Sequence, residues 1–439
     1  MSGYRLAGGG AIDRTRTLSF TWDGRPLSGH PGDTLASALI AAGERVVARG
    51  FKYHRPRGVM TAGPEETGAL VTVGEGARRE ANAKAPEIEL SEGLAASGQN
   101  AWPNVRFDLG RVNDLMGRFF AAGFYYKTFF GITGRGTWEW MQFEKLIRRA
   151  AGMGAAAQEP DPDAYEIVHD FCDVLVVGAG PAGLAAAELA ASRGLDVIVA
   201  ERDFALGGQL VGADETVEGE PAEAWLAARI DALSGARLLP RTTAIGLYDA
   251  NVVGLYERVT DHLPQAPDYM PRGRLRVVRP GAVILATGAI ERTVAFGDND
   301  RPGVMLAGAM ETYLRRFGVA PGRRAVLATN NDSAYPAAAA LARAGIATTL
   351  LDARELAPPA LAEAARAAGA DVLADHVPLE VKGRNGVAGL EIARPARGGH
   401  LRPERVIEAD CVGVSGGWSP AIHLVCHRGV RPVWDNARA

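Results

Sequence analysis

Asp173-Val-Leu-Val-Val-Gly-Ala-Gly-Pro-Ala-Gly-Leu184 decides how this chain is read. Val174 to Val177 is a short continuous apolar run, as expected of a strand buried on both faces of a parallel sheet. Gly178, Gly180 and Gly183 follow at G-x-G-x-x-G spacing, and Leu184 to Ala191 reads as helix. Gly178 permits the tight strand-to-helix turn, Gly180 lets backbone approach a pyrophosphate, and Gly183 lets the helix pack closely on the strand. The free N–H groups at the helix start, around Pro181 and Ala182, face the anion. A second strand, Asp196 to Ala200, ends at Glu201, 23 residues after Gly178, where a carboxylate accepts hydrogen bonds from an adenosine ribose. Apart from the adjacent Arg202, no basic cluster is placed to neutralise a 2′-phosphate. The expected ligand is NAD or the ADP half of FAD, not NADP.

At 439 residues the chain has room for two or three domains. Its 47% apolar and 23% charged residues are ordinary for a globular protein. A formal charge of −3 gives no long-range pull toward nucleic acid or an anionic membrane. The three cysteines, Cys172, Cys411 and Cys426, are too far apart for a C-x-x-C motif, so no disulfide framework or metal site is expected. The N-terminus lacks an apolar signal core, and no apolar run approaches the ~20 residues of a membrane span. The expected location is cytoplasmic.

Three regions are expected: residues 1–100, a connecting segment at 101–165, and a dinucleotide-binding region at 166–439. In the first, Leu18 to Trp22 alternates as a strand, Asp23-Gly24 turns it, and Arg25 to His30 returns. Pro31-Gly-Asp-Thr34 then caps a helix from Leu35 to Ala42. This order resembles the β-grasp of plant-type ferredoxins, whose cluster cysteines are spaced C-x4-C-x2-C. The equivalent positions here are Thr61, Glu66 and Ala69, none a thiolate, so an iron–sulfur cluster is not expected. Gly50-Phe-Lys-Tyr-His-Arg-Pro-Arg-Gly58 reads equally as a solvated surface loop or as a docking loop. In the latter, Lys52, Arg55 and Arg57 face an anionic group. His54 is more simply a hydrogen-bonding residue than a catalytic base. Residues 100 to 150 are rich in aromatics with poor helical periodicity, suiting internal packing or a subunit contact.

After Glu201, Gly207-Gly208-Gln209 offers a second close backbone approach to the nucleotide, and Glu220 to Leu233 reads as helix. Leu238 to Tyr248 and Val252 to Val259 read as strands. Ala282-Val-Ile-Leu-Ala-Thr-Gly-Ala289 is a buried strand ending in Ala-Thr-Gly, which adds Thr287 and Gly288 to the candidate site. A glycine fingerprint followed by such a strand marks two-dinucleotide-binding flavoproteins, which carry one nucleotide fold inserted in another. The insert is expected at 320–400, with Ala325 to Ala328 as its strand and Ala334 to Gly345 as its helix. Thr329-Asn-Asn-Asp-Ser333 replaces its glycine turn, so the inserted half is read as a fold kept without its nucleotide. The chain stops at Ala439, before the strand-loop that closes a flavin site in such folds, and is read as C-terminally incomplete.

The Gly50–Gly58 run, Ala122-Gly-Phe-Tyr-Tyr-Lys-Thr-Phe129, the glycine fingerprint and Ser415-Gly-Gly-Trp-Ser-Pro-Ala-Ile-His-Leu424 together resemble the alpha subunit of heterotetrameric sarcosine oxidase, in its N-terminal half. The resemblance implies a tightly bound NAD in the glycine-turn fold. It implies a beta subunit carrying FAD, an FMN held at the alpha–beta interface, smaller further subunits, and a small amine substrate. By match to the motif, Gly178, Gly180, Pro181, Ala182, Gly183, Glu201, Arg202 and Gln209 would contact NAD, with Ala244 a weaker candidate. No catalytic acid or base can be carried over. The other readings are a related opine or amine oxidase component, a stand-alone NAD/FAD oxidoreductase and a non-catalytic nucleotide-holding scaffold.

Overall fold

The computed structural model describes residues 3–117, 136–151 and 154–435. Near the N-terminus, β1 (Leu18–Trp22) and β2 (Arg25–Gly29) form the expected hairpin. Helix α1 (Leu35–Ala41) starts at a capping box, in which the Thr34 hydroxyl accepts from Ser37 N and the Ser37 hydroxyl accepts from Thr34 N. With β3 (Leu70–Val73), β4 (Glu80–Lys84) and β5 (Ala95–Gly98) they make a five-stranded sheet ordered β2-β1-β5-β3-β4. Parallel β1 and β5 lie at its centre, giving the expected β-grasp.

In the connecting segment the structure differs from the poor periodicity of the sequence: Thr137–Ala151 is a helix of 15 residues, α2. An Arg148–Glu144 pair four residues apart supports it. Trp102, Phe107 and Trp138 are exposed, and the aromatic run from Phe119 to Phe130 lies outside the described residues.

The first nucleotide-type fold is built on β6 (Tyr165–Val177), α3 (Pro181–Ala191), β7 (Val197–Ala200), α4 (Ala222–Ala232), β8 (Arg237–Leu239), β9 (Thr242–Leu247), β10 (Val253–Arg258) and β11 (Gly273–Leu285). Its sheet runs β8-β7-β6-β11-β10-β9. The stretch read as one strand from Leu238 to Tyr248 is two. Pro240 and Arg241, the latter at φ 55°, break it, sending β8 to one edge of the sheet and β9 to the other. Apolar clusters cover both faces of the central strands, one around Leu184 and Trp225 and the other around Leu247 and Leu255.

The chain then crosses on β12 (Ala289–Glu291), which pairs with the late strand Trp418–Pro420. The second fold comprises β13 (Val304–Leu306), α5 (Ala307–Arg315), β14 (Arg324–Thr329), α6 (Ala334–Arg343), β15 (Ala347–Asp352), α7 (Pro359–Ala367), β16 (Asp371–Ala374) and β17 (Cys411–Ser415). Its parallel sheet is ordered β13-β17-β14-β15-β16.

The β-grasp shares its core with this second fold. Phe20, Trp22, Leu35 and Leu39 belong to one continuous apolar cluster with Tyr313, Phe317, Leu327 and Tyr335. Toward the first fold it makes polar contacts, two of them ion pairs. Arg241 pairs with Glu89 through two bonds of 2.7 and 2.8 Å, Arg258 donates to Glu87 O at 3.0 Å, and Arg202 pairs with Glu87 at 3.3 Å.

Candidate functional site

The glycine turn joins β6 to α3, and two of its three glycines are required by close contacts. Gly178 has φ 99°, and a Cβ there would lie 2.3 Å from Ala286 O on the neighbouring strand. At Gly183 a Cβ would lie 1.9 Å from Gly178 O. Gly180 differs: a Cβ there would meet nothing within 4 Å. It points into open space at the start of α3, where Pro181 occupies the first turn and no side chain caps the helix. The N–H groups of the first turn therefore face that space without a side-chain partner, as anion binding requires.

Glu201 stands beside this turn. One of its oxygens accepts from Ala179 N at 2.7 Å and the other from Asp203 N at 2.9 Å, which aims the carboxylate along the turn. Gly207 N donates to Ala179 O at 2.8 Å, and a Cβ on Gly208 would sit 3.1 Å from Gly180 Cα. That seats the Gly208–Leu210 turn over the fingerprint and leaves Gln209 exposed next to it. Asp203 is fixed by Arg316, one bond of the pair being 2.9 Å. Burial pushes its carboxyl upward, but the Arg316 guanidinium outweighs this and holds it below the usual range.

The structure thus brings Gly178, Gly180, Pro181, Ala182, Gly183, Glu201, Gly208 and Gln209 together at one strand-to-helix turn. Ala244 lies two residues beyond Thr242, whose N–H bonds Glu201 O at 2.7 Å, and it packs against the apolar cluster on that face. Thr287 and Gly288 follow the end of β11 beside Gly178. Both are tied to the late segment, Thr287 Oγ1 donating to Ala421 O at 2.6 Å and Ala421 N to Gly288 O at 2.9 Å. The Arg202 guanidinium is turned to Glu87 of the β-grasp. Sequence reading missed Glu87 and Glu89, because a pairing across 115 or more positions leaves no local pattern. Arg202 pairs with Glu87, and Arg241 with Glu89.

The equivalent turn of the second fold is closed. Arg354 bonds Asp332 in the turn at 2.8 Å and grips Asp352, at the end of β15, through bonds of 3.0 and 2.7 Å. Asp352 is 0% exposed and also accepts from the Tyr335 hydroxyl at 2.6 Å. Burial raises its carboxyl, and Arg354 and Tyr335 together bring it below its ordinary value. Asn331 and Ser333 fill the rest of the turn, bonding Ser415 at the end of β17.

The basic loop is committed within the chain. Arg55 pairs with Asp298 and, at 2.8 Å, with Asp300; Arg57 also pairs with Asp300. This corrects the picture of Arg55 and Arg57 facing an outside anion, since two aspartates 243 positions away already neutralise them. His54 is buried and bonds Asp108 at 2.8 Å, a structural role.

An open glycine turn, an acid at the second strand end and a second nucleotide-type fold on a two-stranded crossing define a pyridine-nucleotide oxidoreductase fold. Residues 172–434 match the family Pyridine nucleotide-disulphide oxidoreductase, and the chain belongs to it. Residues 15–101 match a 2Fe-2S iron-sulfur cluster binding domain. Among curated proteins, the chain is 45% identical to the sarcosine oxidase alpha subunit of Rhizobium meliloti (strain 1021), over 100% of this chain and 44% of that one. It is 36% identical to that of Corynebacterium sp. (strain P-1), over 97% of this chain and 40% of that one. An opine oxidase subunit of Agrobacterium tumefaciens (strain Ach5) is 34% identical over 42% of this chain and 37% of its own. The chain spans less than half the length of the first two relatives. L-proline dehydrogenase from P. horikoshii superposes with a TM-score of 0.62 at 19% identity, covering 99% of this chain and 68% of that one, a likeness of fold. No helix among the described residues is long and apolar enough to cross a membrane.

Proposed function

We propose that this chain is the alpha-type component of a sarcosine-oxidase-like complex and holds NAD in its first nucleotide-type fold. The observation that carries the reading is the open, uncapped turn at Gly180 beside Glu201, within a chain 45% identical to the alpha subunit of a sarcosine oxidase. Glu201 would bind the adenosine ribose, and the α3 N–H groups the pyrophosphate. Arg202, paired with Glu87, is not free to take a 2′-phosphate, which favours NAD over NADP. Oxidation of sarcosine to glycine and formaldehyde, with peroxide formed, would fall to flavins: FAD in a beta-type partner and FMN at the shared interface. This chain would supply the scaffold, because its second turn is closed by its own Arg354.

The test is co-purification from the native source, followed by denaturation and identification of the released cofactors. NAD on this chain and flavin with a partner is the expected result; NADP, or no adenine dinucleotide, would refute the assignment. An opine-type substrate is the second reading, supported by the partial match to the opine oxidase chain. Turnover of sarcosine against an opine by the intact complex separates the two.

A further inference from the structure

The match over residues 15–101 implies a two-iron cluster, and the donor set does not fit one. Plant-type spacing puts ligand-equivalent positions at Thr61, Glu66 and Ala69, and no cysteine precedes Cys172. The loop is nonetheless built around an anion. Glu66 is 2% exposed, with its side chain turned into the loop. Its Oε2 accepts from Met60 N at 2.9 Å and Thr61 N at 2.8 Å, and its Oε1 from Gly68 N at 2.6 Å and Ala69 N at 2.8 Å. Two of those four amides belong to Thr61 and Ala69, the other two ligand-equivalent positions.

We infer that the Glu66 carboxylate replaces the cluster: the loop is a four-amide anion nest closed on its own side chain. Inward-facing backbone N–H groups are the common surroundings of phosphates and iron–sulfur centres. All four neighbours are donors, which suits a group that only accepts, and their bonds offset the cost of burying it. Gly68 allows the close wrap, since a Cβ there would lie 2.5 Å from Gly58 O.

Held in this shape, the loop presents its outer carbonyls to the second fold. Thr61 O accepts from the fully buried Tyr313 hydroxyl at 2.8 Å, and Met60 O from Leu306 N at 2.9 Å. The carboxylate is therefore a positioning group for the seam between the β-grasp and the second fold.

Hydrogen–deuterium exchange of the full chain, followed by mass spectrometry of peptides covering 58–71, tests this. In Glu66→Ala these amides should exchange about tenfold faster or more, with a lowered Tm. Formate, which fits the vacated carboxylate position, should restore protection where chloride at equal ionic strength does not. Glu66→Gln, offering one acceptor oxygen to four donors, should fold and exchange at an intermediate rate. Wild-type protection in either variant would overturn the inference, as would formate acting no better than chloride. Anaerobic reconstitution of the wild-type chain with ferrous iron and sulfide should leave no acid-labile sulfide; a stoichiometric cluster would also overturn it.

Discussion

The two nucleotide-type folds place a carboxylate at the same point, the end of the second strand, and use it in opposite ways. Glu201 is half-buried and anchored by two backbone amides beside an open glycine turn. Asp352 is fully buried and gripped by Arg354, which reaches across to Asp332 in the turn. In the first fold the helix N-terminus is left uncapped toward open space, whereas in the second the polar groups of the turn are consumed internally. A fold can thus keep the strand, turn and helix of a nucleotide site after its binding groups have become part of its packing. The same contrast appears in how the β-grasp attaches, through ion pairs to the open fold and through a shared apolar core to the closed one.

The sharpest way to break this comparison is to fill the open turn. Gly180→Asp would place a carboxylate in the space the missing Cβ leaves free, with no clash to disturb the fold. Dinucleotide affinity should fall about 100-fold or more, roughly 3 kcal/mol, with Tm nearly unchanged. Titration calorimetry together with thermal melting checks both halves of the statement. Retained binding in Gly180→Asp would show that the turn is not the site. The matching change in the closed fold, Asp332→Gly, should create no second binding event, because Asp352 and Arg354 still occupy the strand end.

What the sequence revealed here follows from distance along the chain. Glycine spacing, the apolar run and the acid at Glu201 all lie within a short span, where each rule of turn and helix chemistry is local. The absence of cysteine at Thr61, Glu66 and Ala69 was equally legible. Glu66 as the replacement was not, because its partners are backbone amides that any sequence supplies. The partners of Arg55, Arg57, Arg202 and Arg354 were hidden for a related reason. Arginine is common, and only the fold selects which carboxylate it meets. For Arg55 and Arg57 this turned an expected docking group into an internal one. Helix α2 was missed because its aromatic residues do not form one apolar stripe; Trp138 and Met141 are both exposed.

In the closed fold, Arg354→Ala tests whether the plug is structural. It strands Asp352 in the core with only the Tyr335 hydroxyl and a backbone amide. Breaking a buried pair costs about 3–5 kcal/mol, and with Arg354 35% exposed a loss of about 2 kcal/mol is expected. Denaturant unfolding measures it, and NAD affinity should not change. A variant as stable as the wild type would contradict the plugged reading.

The crossing between the folds carries a pH dependence. Glu291, on β12, is 6% exposed and accepts from Gly308 N at 2.8 Å at the start of α5. Burial pushes its carboxyl from the ordinary 4.5 up to about 7, partly countered by the Ser415 hydroxyl and Gly308, with Glu65 and Glu311 adding to the rise. The folded state therefore favours the protonated form. Its contribution is fully present below about pH 4.5 and is lost as pH rises through about 7. Glu291→Gln keeps an acceptor for Gly308 and removes the charge. Relative to it, the wild type should lose stability steadily between those limits. Parallel stability curves for the two proteins across that window would exclude this titration.

The smallest expected effect lies at the ionic seam, where the β-grasp meets the open fold. Arg202 directly follows Glu201, the acid proposed to bind the ribose, and an unpaired arginine there would be well placed to take a 2′-phosphate. Glu87 pairs with it at 3.3 Å, with side chains 43% and 29% exposed, so the pair adds little to stability. If the proposed NAD assignment holds, its consequence is for selectivity, since Glu87 engages the cation nearest Glu201. Glu87→Gln should release Arg202 and raise the NADP to NAD affinity ratio about tenfold, near 1.4 kcal/mol, with Glu201 limiting the gain. Tm should not move. Adding Arg202→Ala should abolish the gain, because the cation that receives the phosphate is then missing. An unchanged ratio in Glu87→Gln, in a chain that still binds NAD, would mean that selectivity rests on Glu201 alone and that the β-grasp has no part in it.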